Sequence, residues 1–223
     1  MPNSSGTFPP DLRIAVVGAG GLGCAILPTL ARMDLDRLTI IDGDRVEAAN
    51  LERQPLYGPM DIGHPKARTA AGWMRQLLIG GSVVAHDVFL DANNAEELLR
   101  DQDIVVEGVD DLHAKNLIDR TCAALGIPLV SGGVHGEQGQ VLVLHAPGRN
   151  GSLSRASLFP GRTGQEQDGC DMRRVGLPLL EEIGRTMAAN VYDLLHGRPV
   201  VNGRIHLYDR ATHRWQRMDP PEA

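Results

Sequence analysis

Residues 13–42 read RIAVVGAGGLGCAILPTLARMDLDRLTIID, and this stretch decides the fold. Arg13–Val17 is a short β-branched run of the kind that forms a buried strand. Gly18, Gly20 and Gly23 follow at once as G-x-G-x-x-G, and an Ala/Leu-rich helix runs from there to about Met33. Pro28 lies inside that pattern and should kink the helix or shift its start. Leu38–Asp42 reads as a second strand, ending in an aspartate 19 residues past Gly23. In this strand–loop–helix–strand setting the glycines let backbone approach phosphates at a helix N-terminus, and Asp42 can accept from ribose hydroxyls. A nucleotide site is expected. The pattern serves a dinucleotide cofactor and ATP equally well.

Outward from this stretch the same rhythm continues. Strand-like runs lie at Ser82–Phe89, Asp103–Val109, Pro128–Val134 and Gln140–His145. Helical ones lie at Lys66–Leu78, Ala95–Arg100 and Leu112–Leu125. A helix at Leu177–Leu195, a strand at Arg204–Tyr208 and a run at Arg214–Met218 close the chain. Such alternation predicts a Rossmann-like α/β fold, with a mostly parallel sheet, helices on both faces and a C-terminal antiparallel extension. Residues 13–218 would be a single domain, preceded by a Pro/Ser/Gly-rich, disordered segment at 1–12. Residues 147–174 interrupt the rhythm and suggest a long, partly mobile surface loop, of a length that is usually functional or disordered.

Composition narrows the function. The 22 basic against 28 acidic residues leave a net charge of −6, which argues against a general polyanion or nucleic-acid binder. No apolar run reaches the ~18 residues of a membrane span, and the N-terminus has no signal-peptide pattern. Three widely spaced cysteines make no disulfide framework. A cytoplasmic protein is expected. Glycine is over-used, at 26 residues, which suggests backbone held close to something.

The segment DGDRVEAANLERQPLYGPMDIGHPKAR, which starts at Asp42, separates the nucleotide chemistries. A hydride-transfer enzyme needs no polar and cationic cluster there, whereas ATP chemistry must neutralise a triphosphate and a departing pyrophosphate. Arg53 offers a planar fork and Lys66 a point charge. Asp110 ends a strand where an open parallel sheet places ligand groups, and a carboxylate facing a triphosphate there suits magnesium. Each has a plainer reading. Arg53 and Lys66 could be solvated charges, and Asp110 could cap the helix that starts at Leu112.

GAGGLG, IIDGDRVEAANLERQ, IGHPKA and IVVEGVDD together resemble the ThiF/MoeB/HesA family, relatives of the ubiquitin-activating enzymes. SGGVHGEQGQVLVL and LYDRATHRWQRM resemble it too, so the likeness runs from Arg13 to about Met218. It implies a nucleotide-binding adenylation domain. Gly21 would approach the ATP phosphates, with Gly18, Gly20 and Gly23 shaping the loop, and Asp42 would hold the ribose. Asn50, Arg53 and Lys66 would line the triphosphate, and Asp110 would bind magnesium. The implied reaction is attack of the C-terminal glycine carboxylate of a ubiquitin-like or sulfur-carrier protein on the α-phosphate. That partner would end in Gly-Gly, and the enzyme would be a homodimer. Two alternatives are an NAD-dependent oxidoreductase, which leaves Asn50, Arg53 and Lys66 idle, and a non-catalytic or heterodimer-partner member of the same fold.

The cysteines divide. Cys24 and Cys122 sit on apolar helix faces, as packed hydrophobes do. Cys170 lies in GQEQDGCDMRR, where Arg173 and Arg174 would lower its pKa and Asp168 and Asp171 would oppose them. By resemblance Cys170 would take part in thioester or persulfide chemistry. Many relatives hold zinc through two C-x-x-C pairs. Here Ser154 and Ser157 stand in the loop and the chain ends DPPEA, so no zinc site is expected. Relatives also carry an N-terminal arginine that reaches the neighbour's ATP, and no arginine precedes Arg13.

Overall fold

Alternation along each strand determines which face of the sheet it serves. In the computed structural model, which describes residues 11–147, 153–160 and 175–220, strand β1 (Arg13–Val17) sends Ile14 and Val16 to one face. Ala15 and Val17 go to the other. After β1 come α1 (Gly21–Leu30), β2 (Arg37–Ile41), α2 (Lys66–Leu77), β3 (Ser82–His86) and α3 (Ala95–Leu99). Next are β4 (Ile104–Glu107), α4 (Leu112–Leu125), β5 (Leu129–His135) and β6 (Gln138–Leu144). The last are α5 (Arg155–Leu158), α6 (Leu177–Leu195), β7 (Ile205–Asp209) and β8 (Arg214–Met218).

The eight strands form one sheet in the order 3-2-1-4-5-6-7-8. The first five in that order are parallel, and β6, β7 and β8 add on antiparallel. Helices α1, α2 and α6 bury Leu27, Met74 and Ile183 on one face, while α3 and α4 bury Leu99, Ile118 and Cys122 on the other. The expected α/β architecture is what the chain adopts. Strand order reverses between β1 and β4, and such a switch point opens a crevice at the strands' C-terminal ends.

Several boundaries differ from the sequence reading for local reasons. Helix α1 stops at Leu30, short of Met33, because the bonding tightens there: the N–H groups of Arg32 and Met33 donate three residues back, to Thr29 and Leu30. Strand β4 stops at Glu107, whose carboxylate turns back to accept from the N–H of Val109 at 3.2 Å. Within the stretch expected as a loop, Ser154 caps a short turn of helix, α5.

Candidate functional site

Gly18 follows β1 with φ of +94°, a left-handed conformation that a side chain would strain. Five residues on, a Cβ at Gly23 would lie 2.2 Å from the Gly18 carbonyl oxygen, so the loop closes only with glycine there. Gly21 instead meets Leu180 of α6, at 2.7 Å from where its Cβ would stand. The first turn of α1 carries no side-chain cap, so its first N–H groups have no side-chain partner.

Asp42, next to β2, holds this loop in place. One carboxylate oxygen accepts from the N–H of Ala19 at 2.6 Å, and the other from that of Asp44 at 2.7 Å. Burial pushes its pKa above the ordinary aspartate value, against the pull of those two N–H groups and of Lys66. Tyr57 supports the loop from below, donating its buried hydroxyl to the Ala19 carbonyl at 2.7 Å.

Residues Ala48–Arg53 form a turn of 3-10 helix beside the glycine loop. Asn50, buried, accepts from an Arg53 guanidinium nitrogen at 2.6 Å and so fixes the direction of that fork. Gln54 is buried at 3% exposure, with its amide nitrogen facing Gly20 and its amide oxygen unpaired. Gln54 directly follows Arg53 in the NLERQ run, and that adjacency is its signal in the sequence.

Lys66 opens α2 and is itself buried, yet its ammonium pairs at 2.9 Å with Asp44, whose side chain is 55% exposed. Asp110 stands exposed after β4. The capping role open to it in the sequence belongs to its neighbour, for Asp111 accepts from the N–H of Ala114 at 2.6 Å. Asp110 is thus left out of the cap, and the turn before it presses Val109 against Gly18. Among the described residues, no group of three His, Cys, Asp or Glu side chains is arranged to hold a metal ion. Cys170, Arg173 and Arg174 lie outside the described residues. Burial raises the Cys24 thiol to about 12 and pushes Cys122 up as well, so neither is a thiolate at neutral pH.

A second polar group sits below the crevice and was not anticipated. Glu107, fully buried, receives the Lys115 ammonium on both oxygens, at 2.9 and 2.8 Å. Lys115 also donates to the Gly132 carbonyl at 2.7 Å, which uses all three of its donors. Burial lowers the Lys115 pKa, and Glu107 opposes that shift.

An uncapped helix start, with the Asp42 carboxylate bound to the loop before it, suits a nucleotide polyphosphate. Comparison with known proteins agrees. The chain is 36% identical to the sulfur carrier protein adenylyltransferase of Thermus thermophilus, over 88% of this chain and 74% of that one. It is 30% identical to the molybdopterin-synthase adenylyltransferase of Escherichia coli, over 93% and 83%. Among solved structures, Escherichia coli MccB in complex with MccA-N7isoASN superposes with a TM-score of 0.81 at 17% identity, a likeness of fold. That match covers 96% of this chain and 65% of MccB. Fold and relatives define the class as adenylyltransferases on a Rossmann-type sheet. The ThiF family model matches residues 10–223, and the chain belongs to the ThiF family.

Proposed function

We propose that this chain uses ATP to adenylate the C-terminal glycine carboxylate of a small ubiquitin-like or sulfur-carrier protein ending in Gly-Gly. The observation that carries the proposal is the uncapped start of α1, with Asp42 bound to the glycine loop, Lys66 paired with the exposed Asp44 beside it, and Arg53 directed by Asn50. The names of the relatives support it: two act as adenylyltransferases for a sulfur carrier and for molybdopterin synthase, and a SAMP-activating enzyme of Haloferax volcanii is 37% identical over 59% of this chain.

In this reading Asp42 holds the ribose and α1 receives the phosphates. Lys66 exchanges the exposed Asp44 for a phosphate oxygen, and Arg53 donates to another phosphate oxygen. A carboxylate oxygen of the carrier attacks the α-phosphorus. The bond to the β-phosphate oxygen breaks, and pyrophosphate leaves with that electron pair. The chain contributes position and charge, and no general base is needed because the nucleophile is already ionised. Asp110 fits a magnesium ion bound by one carboxylate, substrate phosphates and water, and the ion would neutralise charge on the leaving group. ATP–pyrophosphate exchange with candidate carrier proteins tests the reading. Carrier-dependent exchange is expected; no exchange with any carrier, together with no ATP binding, overturns it.

Cys170 would act after adenylation: its thiolate would attack the adenylated carbonyl, form a thioester and release AMP, whereas persulfide transfer would require a sulfane-sulfur donor to load Cys170 first. Cys170→Ala should then exchange pyrophosphate normally and lose the transfer step. Unchanged transfer would remove Cys170 from the mechanism. A homodimer located in the cytoplasm completes the proposal, and sedimentation at micromolar concentration tests the dimer. No described helix is long and apolar enough to cross a membrane.

A further inference from the structure

Arg155 is 6% exposed, although it lies between two stretches outside the described residues. A buried guanidinium needs partners, and those of Arg155 define a path. Its backbone N–H donates to Asp119 at 3.0 Å, and its guanidinium lies 5.5 Å from the centre of the Phe159 ring. One guanidinium nitrogen donates to the Ser131 hydroxyl at 3.1 Å. Arginine only donates, so Ser131 must accept from it. The one serine proton then goes to Glu107, with which Ser131 makes a short hydrogen bond.

Glu107 is saturated as a result. One oxygen takes Ser131 and Lys115, and the other takes Lys115 and the N–H of Val109. Val109 in turn packs against Gly18, 3.2 Å from the place a Cβ would occupy there, and Asp110 is the next residue. A continuous chain of contacts thus runs from α5, through β5 and β4, to the wall of the glycine loop. Every polar side chain in it is buried, where hydrogen bonds are directional and costly to break.

We propose that Arg155 is a positioning residue: through Ser131 and Glu107 it sets the turn Glu107–Asp110 that walls the nucleotide crevice. The path rests on geometry alone, and its bearing on catalysis rests on the adenylyltransferase reading. By reciprocity, a nucleotide seated against that turn should also steady residues 153–160.

Hydrogen exchange of the full-length protein, followed by mass spectrometry, tests the path without a ligand. Arg155→Met removes the guanidinium and keeps the backbone bond to Asp119. Exchange in peptides spanning 104–112 should accelerate about tenfold, the size expected for loss of one charged hydrogen bond. Acceleration confined to 153–160 would make Arg155 a local anchor and overturn the proposal. If Arg155→Met exchanges fast throughout, Ser131→Ala decides, because it cuts the middle of the path and leaves α5 bonded to Asp119. Calorimetry with α,β-methylene-ATP then addresses function. Affinity should fall about fivefold in Arg155→Met, and the analogue should slow exchange at 153–160 in the wild type only. Binding equal to wild type in a variant with fast 104–112 exchange would detach the turn from the nucleotide. No binding by the wild type would defeat the adenylyltransferase reading and leave the exchange result standing.

Discussion

Lys66 and Lys115 are both buried lysines that pair with a carboxylate at the C-terminal end of the sheet, yet they differ in what they can do. The Lys66 partner, Asp44, stands half in water, so a phosphate can replace it at little cost. Lys115 faces a carboxylate with no exposure and spends its third donor on a backbone carbonyl. In the proposed reading, exposure of the partner, rather than of the lysine, separates a ligand group from a structural one.

The comparison breaks most sharply at Lys115. Lys115→Met should destabilise the fold by about 3–5 kcal/mol, since it strands Glu107 as an unpaired buried charge. Urea unfolding measures this, and a loss below about 1 kcal/mol would place Lys115 with the exposed pairs. Lys66→Ala should invert the pattern. Stability should change by less than about 1 kcal/mol. Pyrophosphate exchange should fall about 10²–10³-fold, as when one preorganised charge donor is removed. Equal losses in both lysine variants would erase the distinction.

A milder test concerns Asn50, which touches Arg53 and lets it swing when removed. Asn50→Ala should lower exchange activity about tenfold while nucleotide stays bound; a variant with wild-type kinetics would show Arg53 to be directed by something else. The smallest effect is in pH. Burial raises the Asp42 pKa, so the folded chain takes up this proton at higher pH than the unfolded chain does. The ionised carboxylate is therefore a net cost to folding, and its contribution to stability improves as pH falls through the raised value. Nucleotide affinity runs the other way, because a protonated Asp42 accepts less well from Ala19 and from a ribose. Calorimetric titrations should weaken on acidification from above the ordinary aspartate range, and Asp42→Asn should flatten that profile.

The two lysines also mark what a sequence can disclose. Lys66 could be singled out in the sequence because it closes one continuous polar segment that starts at Asp42 and contains Asn50 and Arg53. The strands were legible for the same reason: Arg13–Val17 and Leu38–Ile41 carry their burial pattern locally. Lys115 was not, because its partners come from β4 and β5, and a lone lysine in a helix reads as a solvated charge. Arg155 was hidden more deeply, since Ser131 is 24 residues away in the chain and Asp119 is 36. Asp110 and Asp111 show the finer limit. Adjacent aspartates are equivalent on paper, and only the backbone path assigns the cap to one and frees the other.

The contact of Leu180 with Gly21 has a consequence in time. Helix α1 begins at the chain's twenty-first residue, but the side chain that seats its first turn belongs to α6, about 160 residues later. Closing so distant a contact is slow, because chain entropy must be lost before the contact forms. On the ribosome the glycine loop should stay unfinished until α6 has emerged, and a nascent chain ending before Leu177 should not yet retain ATP.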